Sequence, residues 1–501
     1  LLVCAVAGWP AMLSTAVAAK PNIVVIMADD LGWKDLHCYG NAQIDTPYLD
    51  RLAEEGMRFT GAYAAAPVCS PTRGAMMTGL APARLRLTNH APGHPDGFSL
   101  KGSNLQEAES VRHLELSYIT IAERLKETGY ATAHIGKWHL SYVARNDRSG
   151  IAEADLRPEK QGFERNVGGW HRGGPASYFS PYKNKVLPDG KEGEYLPERL
   201  AEEAIAFVTE SREGPFFLNW WPYSVHYPFQ APEPTIEKYR ARKGIKNATY
   251  AAMIEGMDRA IGRFLAALDD AGLRENTLVI FNSDNGGYNG DNRPLRGFKG
   301  MIFEGGIRVP WIVRWPGVVE AGTTCTTPVI SMDCYPTILE AAGIEEGPGT
   351  ILDGESIFPL LKQTGGLERE AIFFHYPNYA FHKKNRLASA IRSGNHKLVR
   401  RYDDGSIELY NLAEDIGEEH NLVTRFPELA KQLDEKLKKW LREVNACLPT
   451  RGKPGEKRNG LLKAVGGKGG GSPKAANGRL SRAVTRDRVV EIIAASSGGK
   501  Q

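Results

Sequence analysis

The sequence predicts an α/β fold: a large, mostly parallel or mixed sheet sandwiched by helices, followed by a smaller C-terminal domain of antiparallel sheet plus helix. Two patterns carry that expectation. From about residue 20 to 345, short apolar runs alternate with stretches of helical periodicity, as strands joined by crossover helices do. After about 360 the runs are short and closely spaced, two of them joined by the turn DDGS (403–406), as in an antiparallel sheet. With 501 residues, 42% hydrophobic and 24% charged, the chain has globular composition and length for one large unit and one smaller.

Residues 1–19 form an apolar run ending in small residues around Ala16, Ala18 and Ala19. That is the pattern of a signal peptide, truncated at its start, and it predicts export to the periplasm or the exterior. NIVVIMA (22–28) then predicts a buried strand, TPYLDRLAEEG (46–56) a helix and ITIAERLKETG (119–129) another. ATAHIG (131–136), PFFLNWW (215–221), LVIFNSD (278–284) and VPWIVRW (309–315) predict further strands. Between them fall helices over 198–210 and over 249–272, the second stopping at Gly272. A parallel sheet of this kind places ligands beyond the carboxyl ends of its strands. AIFFHY, LASAIRSG, HKLVRRY and IELYNL predict the antiparallel sheet. A closing helix from about 427 lines up Leu429, Leu433, Leu437, Leu441 and Val444 on one face. The expected boundaries are a catalytic unit over 20–355, a C-terminal α+β unit over 356–448 and a basic tail over 449–501. No run after the first is long and apolar enough to span a bilayer.

The net charge of +4 is unevenly spread: residues 451–501 carry +9, and the rest of the chain carries −5. That Gly-, Lys- and Pro-rich segment has no periodicity and predicts a flexible basic tail, either a solvated extension or a holder of a polyanion. Six cysteines occur, one of them, Cys4, inside the apolar leader. The other five, Cys38, Cys69, Cys325, Cys334 and Cys447, are odd in number and lack metal-type spacing.

Polar residues just after parallel strands converge at one edge. Asp29 and Asp30 follow the first strand, Lys137 and His139 follow ATAHIG, His226 follows PFFLNWWPYSV, and Asp284 and Asn285 follow LVIFNS. A single such pair is usually a turn or cap. Two pairs at equivalent strand ends offer three carboxylates and an amide oxygen, a hard set suited to Ca²⁺ or Mg²⁺. In PVCSPTRGAMMTG (67–79), Cys69 opens a predicted helix with Pro71 in its first turn and Gly79 as its stop. Such an N-terminus favours negative charge, and Arg73 lies one turn along on the same side. On that segment alone, a reactive or structural cysteine remains open.

These segments together resemble the sulfatases, the formylglycine-dependent, arylsulfatase-like enzymes of the alkaline phosphatase superfamily. CSPTR (69–73) matches the C-x-P-x-R signature, and GYATAHIGKWH (129–139) matches G-Y-x-T-x-x-x-G-K-x-H. MADDLG (27–32), VHYPF (225–229), SDNGG (283–287), LRGFKG (295–300) and EGGIRVPWIVRWPG (304–317) follow in the family's order. ELYNLAEDIGEEHNL (408–422) resembles its C-terminal domain. The resemblance implies that Cys69 is converted to Cα-formylglycine by a formylglycine-generating enzyme. It also implies that Asp29, Asp30, Asp284 and Asn285 bind one Ca²⁺ together with the side chain at 69. Arg73 and Lys137 would hold the hydrated aldehyde, His139 would be its base, and His226 and Lys299 would bind sulfate and assist the leaving oxygen.

The chemistry accounts for the cysteine. A serine could accept the sulfuryl group, but water would then face a second inert sulfate ester. A hydrated aldehyde has two hydroxyls on one carbon, one to attack sulfur and one whose deprotonation expels sulfate. The implied substrate is a sulfated small molecule or glycan, with neither a nucleic acid nor stable membrane insertion involved. Three aspartates, Ca²⁺, Arg73, Lys137 and Lys299 make the pocket about +2, which suits a sulfate or a phosphate ester. A phosphodiesterase or phosphonate monoester hydrolase on the same site is therefore one alternative, and a noncatalytic binder of sulfated polymers is another. The loops 89–97 and 168–179 either line the substrate pocket or are ordinary loops, and histidines such as His90 and His382 belong to no motif.

Overall fold

A computed structural model describes residues 20–145 and 147–452. The expected signal segment over 1–19 and residues 453–501 of the expected tail lie outside the described residues. The large sheet comprises β1 (Asn22–Ala28), β2 (Met57–Phe59), β3 (Ala131–Gly136), β4 (Arg165–Val167), β5 (Phe216–Trp221), β6 (Thr277–Ser283), β7 (Trp311–Arg314) and β8 (Thr323–Cys325). Their order is β8-β2-β7-β6-β1-β5-β3-β4. β1 is central and pairs in parallel on both sides, Ile23 lying opposite Phe217 of β5 and Leu278 of β6. β7 alone runs against its neighbours. The chain between β6 and β7 contains only one helical turn, Glu304–Ile307, rather than the crossover helix that a parallel return requires.

All of β1, β5 and β6 is buried because helices cover both faces of the sheet. Strand periodicity divides β1 between two cores. Val24 and Ile26 pack under α1 (Pro47–Glu54), α4 (Leu196–Glu210) and α5 (Ala248–Asp270). Ile23, Val25 and Met27 pack under α2 (Cys69–Thr78), α3 (Ile121–Glu127) and α6 (Cys334–Ala341). α3 begins with a capping box, Thr120 accepting from the Glu123 amide and Glu123 accepting from the Thr120 amide. α5 begins on Asn247, whose side chain accepts from the Tyr250 amide at 3.0 Å.

The smaller sheet is an antiparallel meander of β9 (Ala371–Tyr376), β10 (Ala388–Ser393), β11 (His396–Arg401) and β12 (Ile407–Asn411). On one face α7 (Pro427–Glu443) lays Leu433, Leu437 and Leu441 on Ile391, Leu398 and Leu409. On the other, Phe374, Tyr376, Ala390 and Val399 join a cluster with Tyr63, Ile302, Phe303 and Ile307 of the larger unit. The five cysteines among the described residues are all free thiols, and no described helix is long and apolar enough to cross a membrane.

Candidate active site

Four parallel strands end at one edge, and the loops leaving them are tied together. The Asp29 amide donates to the Ser224 carbonyl at 2.8 Å, and the Asp284 amide donates to the Ala28 carbonyl at 3.1 Å. Asp30 and His139 both adopt left-handed backbone, with φ of 62° and 60°, a conformation that costs a non-glycine residue energy and turns each side chain inward. α2 enters the same space N-terminus first, and Gly79 at φ 70° ends it.

The structure brings all the expected side chains into one cluster, buried except for His226, whose side chain is 23% exposed. Lys137 donates to both oxygens of Asp29 at 2.8 Å. Arg73 donates through Nε and Nη2 to Asp284 at 3.0 and 2.7 Å, and through Nη1 to the Lys137 carbonyl at 3.0 Å. Lys299 approaches Asp30 to 2.6 Å. Cys69 Sγ lies 3.8 Å from Asp29 Oδ1, as does Arg73 Nη2. Asn285 donates to Asp30 Oδ1 at 2.9 Å, and His226 Nε2 is 3.8 Å from Asp30 Oδ2. Trp221 is core, its ring lying 5.0 Å beneath the Arg73 guanidinium.

The charges are unevenly satisfied. Burial raises Asp29 well above the usual carboxylate range against the pull of Lys137. For Asp30 and Asp284 burial acts the same way but is outweighed, by Lys299 and by Arg73 respectively, so both lie below that range. Burial pushes the Cys69 thiol up to about 12 against the pull of Lys137 and Lys299, disfavouring the thiolate.

Each site histidine has one committed nitrogen. His139 Nε2 donates to the Ala91 carbonyl, and its Nδ1 is buried with no partner. His226 Nδ1 donates to the Tyr227 carbonyl at 2.7 Å, leaving Nε2 toward Asp30. Burial lowers His139 well below the ordinary imidazole range and takes His226 to about 3. The two loops left open by sequence both reach the site. Loop 89–97 supplies the Ala91 carbonyl, and loop 168–179 lies so close that a Cβ on Gly173 would meet His139 Cε1 at 2.6 Å and one on Gly174 would meet His226 Nδ1 at 2.7 Å.

Sequence reasoning missed several neighbours of the site. His90 is taken to about 3 by burial and then by the positive charge of Lys299. His382 donates to the Lys299 carbonyl at 2.8 Å, and the Phe381 ring lies 5.6 Å from the Lys299 ammonium. These residues arrive from separate loops with no spacing to announce them; only His90 lay in a segment already singled out.

The cluster contains side chains that could together bind a metal ion. Asp29, Asp30, Cys69 and His226 offer ligand atoms all within 4.8 Å of one another. Of the expected set, Asp284 is turned to Arg73 and to the Asp30 amide, while Asn285 Oδ1 is buried without a partner. An orphaned amide oxygen on a side chain that also donates to Asp30 suits an added cation.

A family model described as "Sulfatase" matches residues 21–344, and one described as "N-sulphoglucosamine sulphohydrolase, C-terminal" matches residues 297–446. A protein described as a sulfatase from Formosa agariphila is 32% identical over 506 aligned positions, covering 85% of this chain and 90% of its own. Human arylsulfatase A is 32% identical over 462, covering 81% and 84%. The crystal structure of Ps i-CgsB in complex with k-i-k-neocarrahexaose is similar at a TM-score of 0.71 and 29% identity, covering 84% of this chain and 93% of that one.

Proposed function

The chain belongs to the sulfatase family and is a sulfuric ester hydrolase; from that premise we propose that it cleaves sulfate monoesters of a carbohydrate, using Cys69 converted to Cα-formylglycine and one Ca²⁺. The observation that carries this reading is the place of Cys69, 2% exposed at the start of α2 among three carboxylates and the cations Arg73, Lys137 and Lys299. An unmodified thiol suits no duty there: protonated, it is a poor nucleophile, and sulfur is a poor partner for a hard cation. Conversion by a formylglycine-generating enzyme and export both belong to this proposal, as does a catalytic unit ending near 355.

Hydrated formylglycine would supply two hydroxyls on one carbon: one to attack sulfur, and a second whose deprotonation lets the carbon–oxygen bond to the first break, releasing sulfate and restoring the aldehyde. Asp29, Asp30, Asp284 and Asn285, with the side chain at 69, would hold a Ca²⁺, which would supply positive charge to the sulfuryl group. The remaining work falls to the chain's own side chains. Arg73, locked between Asp284 and the Trp221 ring, and Lys137, locked on Asp29, fix the orientation of the side chain at 69. His139 holds its proton on Nε2 through the Ala91 carbonyl, so its Nδ1 lone pair is the proton acceptor. Lys299 stays protonated because Asp30 outweighs the effect of burial, and it would offer that charge to the departing oxygen; His226 Nε2 lies by the same carboxylate, 3.8 Å from Asp30 Oδ2.

A carbohydrate substrate is supported by the neocarrahexaose bound in the similar crystal structure and by the aminosugar enzyme named in the C-terminal family model. Matched kinetics on an aryl sulfate and an aryl phosphate diester test the reaction class. The expected result is a much larger kcat/KM on the sulfate. A larger value on the diester would make the chain a phosphodiesterase or phosphonate monoester hydrolase instead.

A further inference from the structure

Six large apolar or aromatic side chains stand out as exposed among the described residues, and three of them, Tyr227, Tyr288 and Phe381, rim the catalytic cluster. Tyr227 follows His226 and is 69% exposed. Tyr288 and Phe381 form a wall, their ring centroids 5.0 Å apart and Phe381 lying 5.6 Å from the Lys299 ammonium. Phe298 and His382 back the wall at 5.5 and 6.2 Å from the Tyr288 ring, and His382 is hydrogen-bonded to the Lys299 carbonyl. Rings packed this closely lose little freedom when a ligand lands on them. Exposed apolar surface gathered at a cleft is characteristic of a binding site.

The surroundings of the wall restrict what lands there. His90 lies 6.3 Å from the Phe381 ring, and Asn89, His94 and Asp96 continue a polar loop beyond it. Lys383 and Lys384 follow on the aromatic segment, and neither is in an ion pair among the described residues. An aromatic face with a polar loop beside it and lysines outside any described ion pair alongside fits a pyranose ring, which has a C–H face, a hydroxyl rim and, in a sulfated polymer, further anionic groups. A steroid or simple aryl group would leave the polar side unmatched.

Building on the sulfatase reading above, we propose that Phe381 and Tyr288 are the platform on which a sulfated pyranose stacks by its C–H face, so that this wall selects glycans over other sulfate esters. The test is calorimetric titration of the full-length Cys69→Ala protein, which cannot turn over. The titrants are sulfated tetrasaccharides prepared from a galactan, a fucan and a glycosaminoglycan, together with a steroid sulfate and inorganic sulfate. The proposal expects at least one tetrasaccharide to bind more tightly than the steroid sulfate. It further expects Phe381→Ala and Tyr288→Ala to weaken that binding at least fivefold, with inorganic sulfate affinity within twofold and Phe381→Trp close to the parent. Thermal melting of each variant separates loss of fold from loss of the platform. A steroid sulfate bound more tightly than every tetrasaccharide, or less than fivefold weakening in both alanine variants, overturns it. The sulfatase reading fails on a different result, the absence of sulfate release from an aryl sulfate by mature wild-type enzyme.

Discussion

His139 has one nitrogen spent on the Ala91 carbonyl and one buried without a partner, and that asymmetry decides its chemistry. Replacing it by glutamine preserves a donor for the carbonyl but removes the basic lone pair. His139→Gln is therefore expected to lower kcat by about 10²- to 10⁴-fold, the usual weight of general-base catalysis, with KM changed far less. Steady-state kinetics on an aryl sulfate checks it; an unchanged kcat would remove His139 from the proton path. The residues of this inner cluster were legible because each sits at a fixed offset from a strand end or within a motif. Tyr288, Phe381 and His382 were not: Phe381 and His382 reach Lys299, and Tyr288 reaches Phe381, from loops whose closeness only the folded chain creates.

Elements were legible in proportion to their length. β1, β3, β5 and β6 have six or seven residues each, all buried but the first of β3, and α5 has 23 residues with a clear stop at Gly272. β2, β4 and β8 have three residues each, too few to show a period. The direction of β7 was hidden for another reason: it depends on the connection, not on the apolar run. β3 also carries a pH dependence. His134 accepts from the Asn219 amide at 2.9 Å and is packed among Trp138, Phe163 and Trp221. Burial, aided by the charge of Arg73, takes it from 6.5 to about 3. The native state thus binds fewer protons than the unfolded chain below pH 6.5, and stability falls as pH falls through that range. At about 1.4 kcal/mol per pH unit, His134 alone accounts for about 2 kcal/mol between pH 6.5 and 5. Denaturant titrations at both pH values should show wild type losing about that much more than His134→Gln; equal losses would contradict it.

Across the whole molecule, the two sheets are joined by a buried ionic cluster as well as by apolar packing. Lys397 of β11 is fully buried and bridges Glu304 and Glu418, each at 2.9 Å. Arg308 binds Glu304 at 2.7 Å and Tyr63, which also receives Arg392. Removing one partner from such a cluster leaves the other charges buried and uncompensated. Lys397→Met is expected to cost about 3–5 kcal/mol in equilibrium unfolding; a loss below about 1 kcal/mol, the level of a surface pair, would contradict that role. Charged residues of this kind are ordinary in sequence, and only the docking of the small sheet on the large one brings them together. The same docking sets Phe381 over Lys299, so the smaller unit completes the mouth of the site. The whole account depends on the fate of Cys69, and peptide mass spectrometry over residues 67–73 of protein from the native host tests it most directly. The predicted result is the mass of an aldehyde or its hydrate at position 69 in place of the thiol; an unaltered cysteine in catalytically competent protein would contradict it.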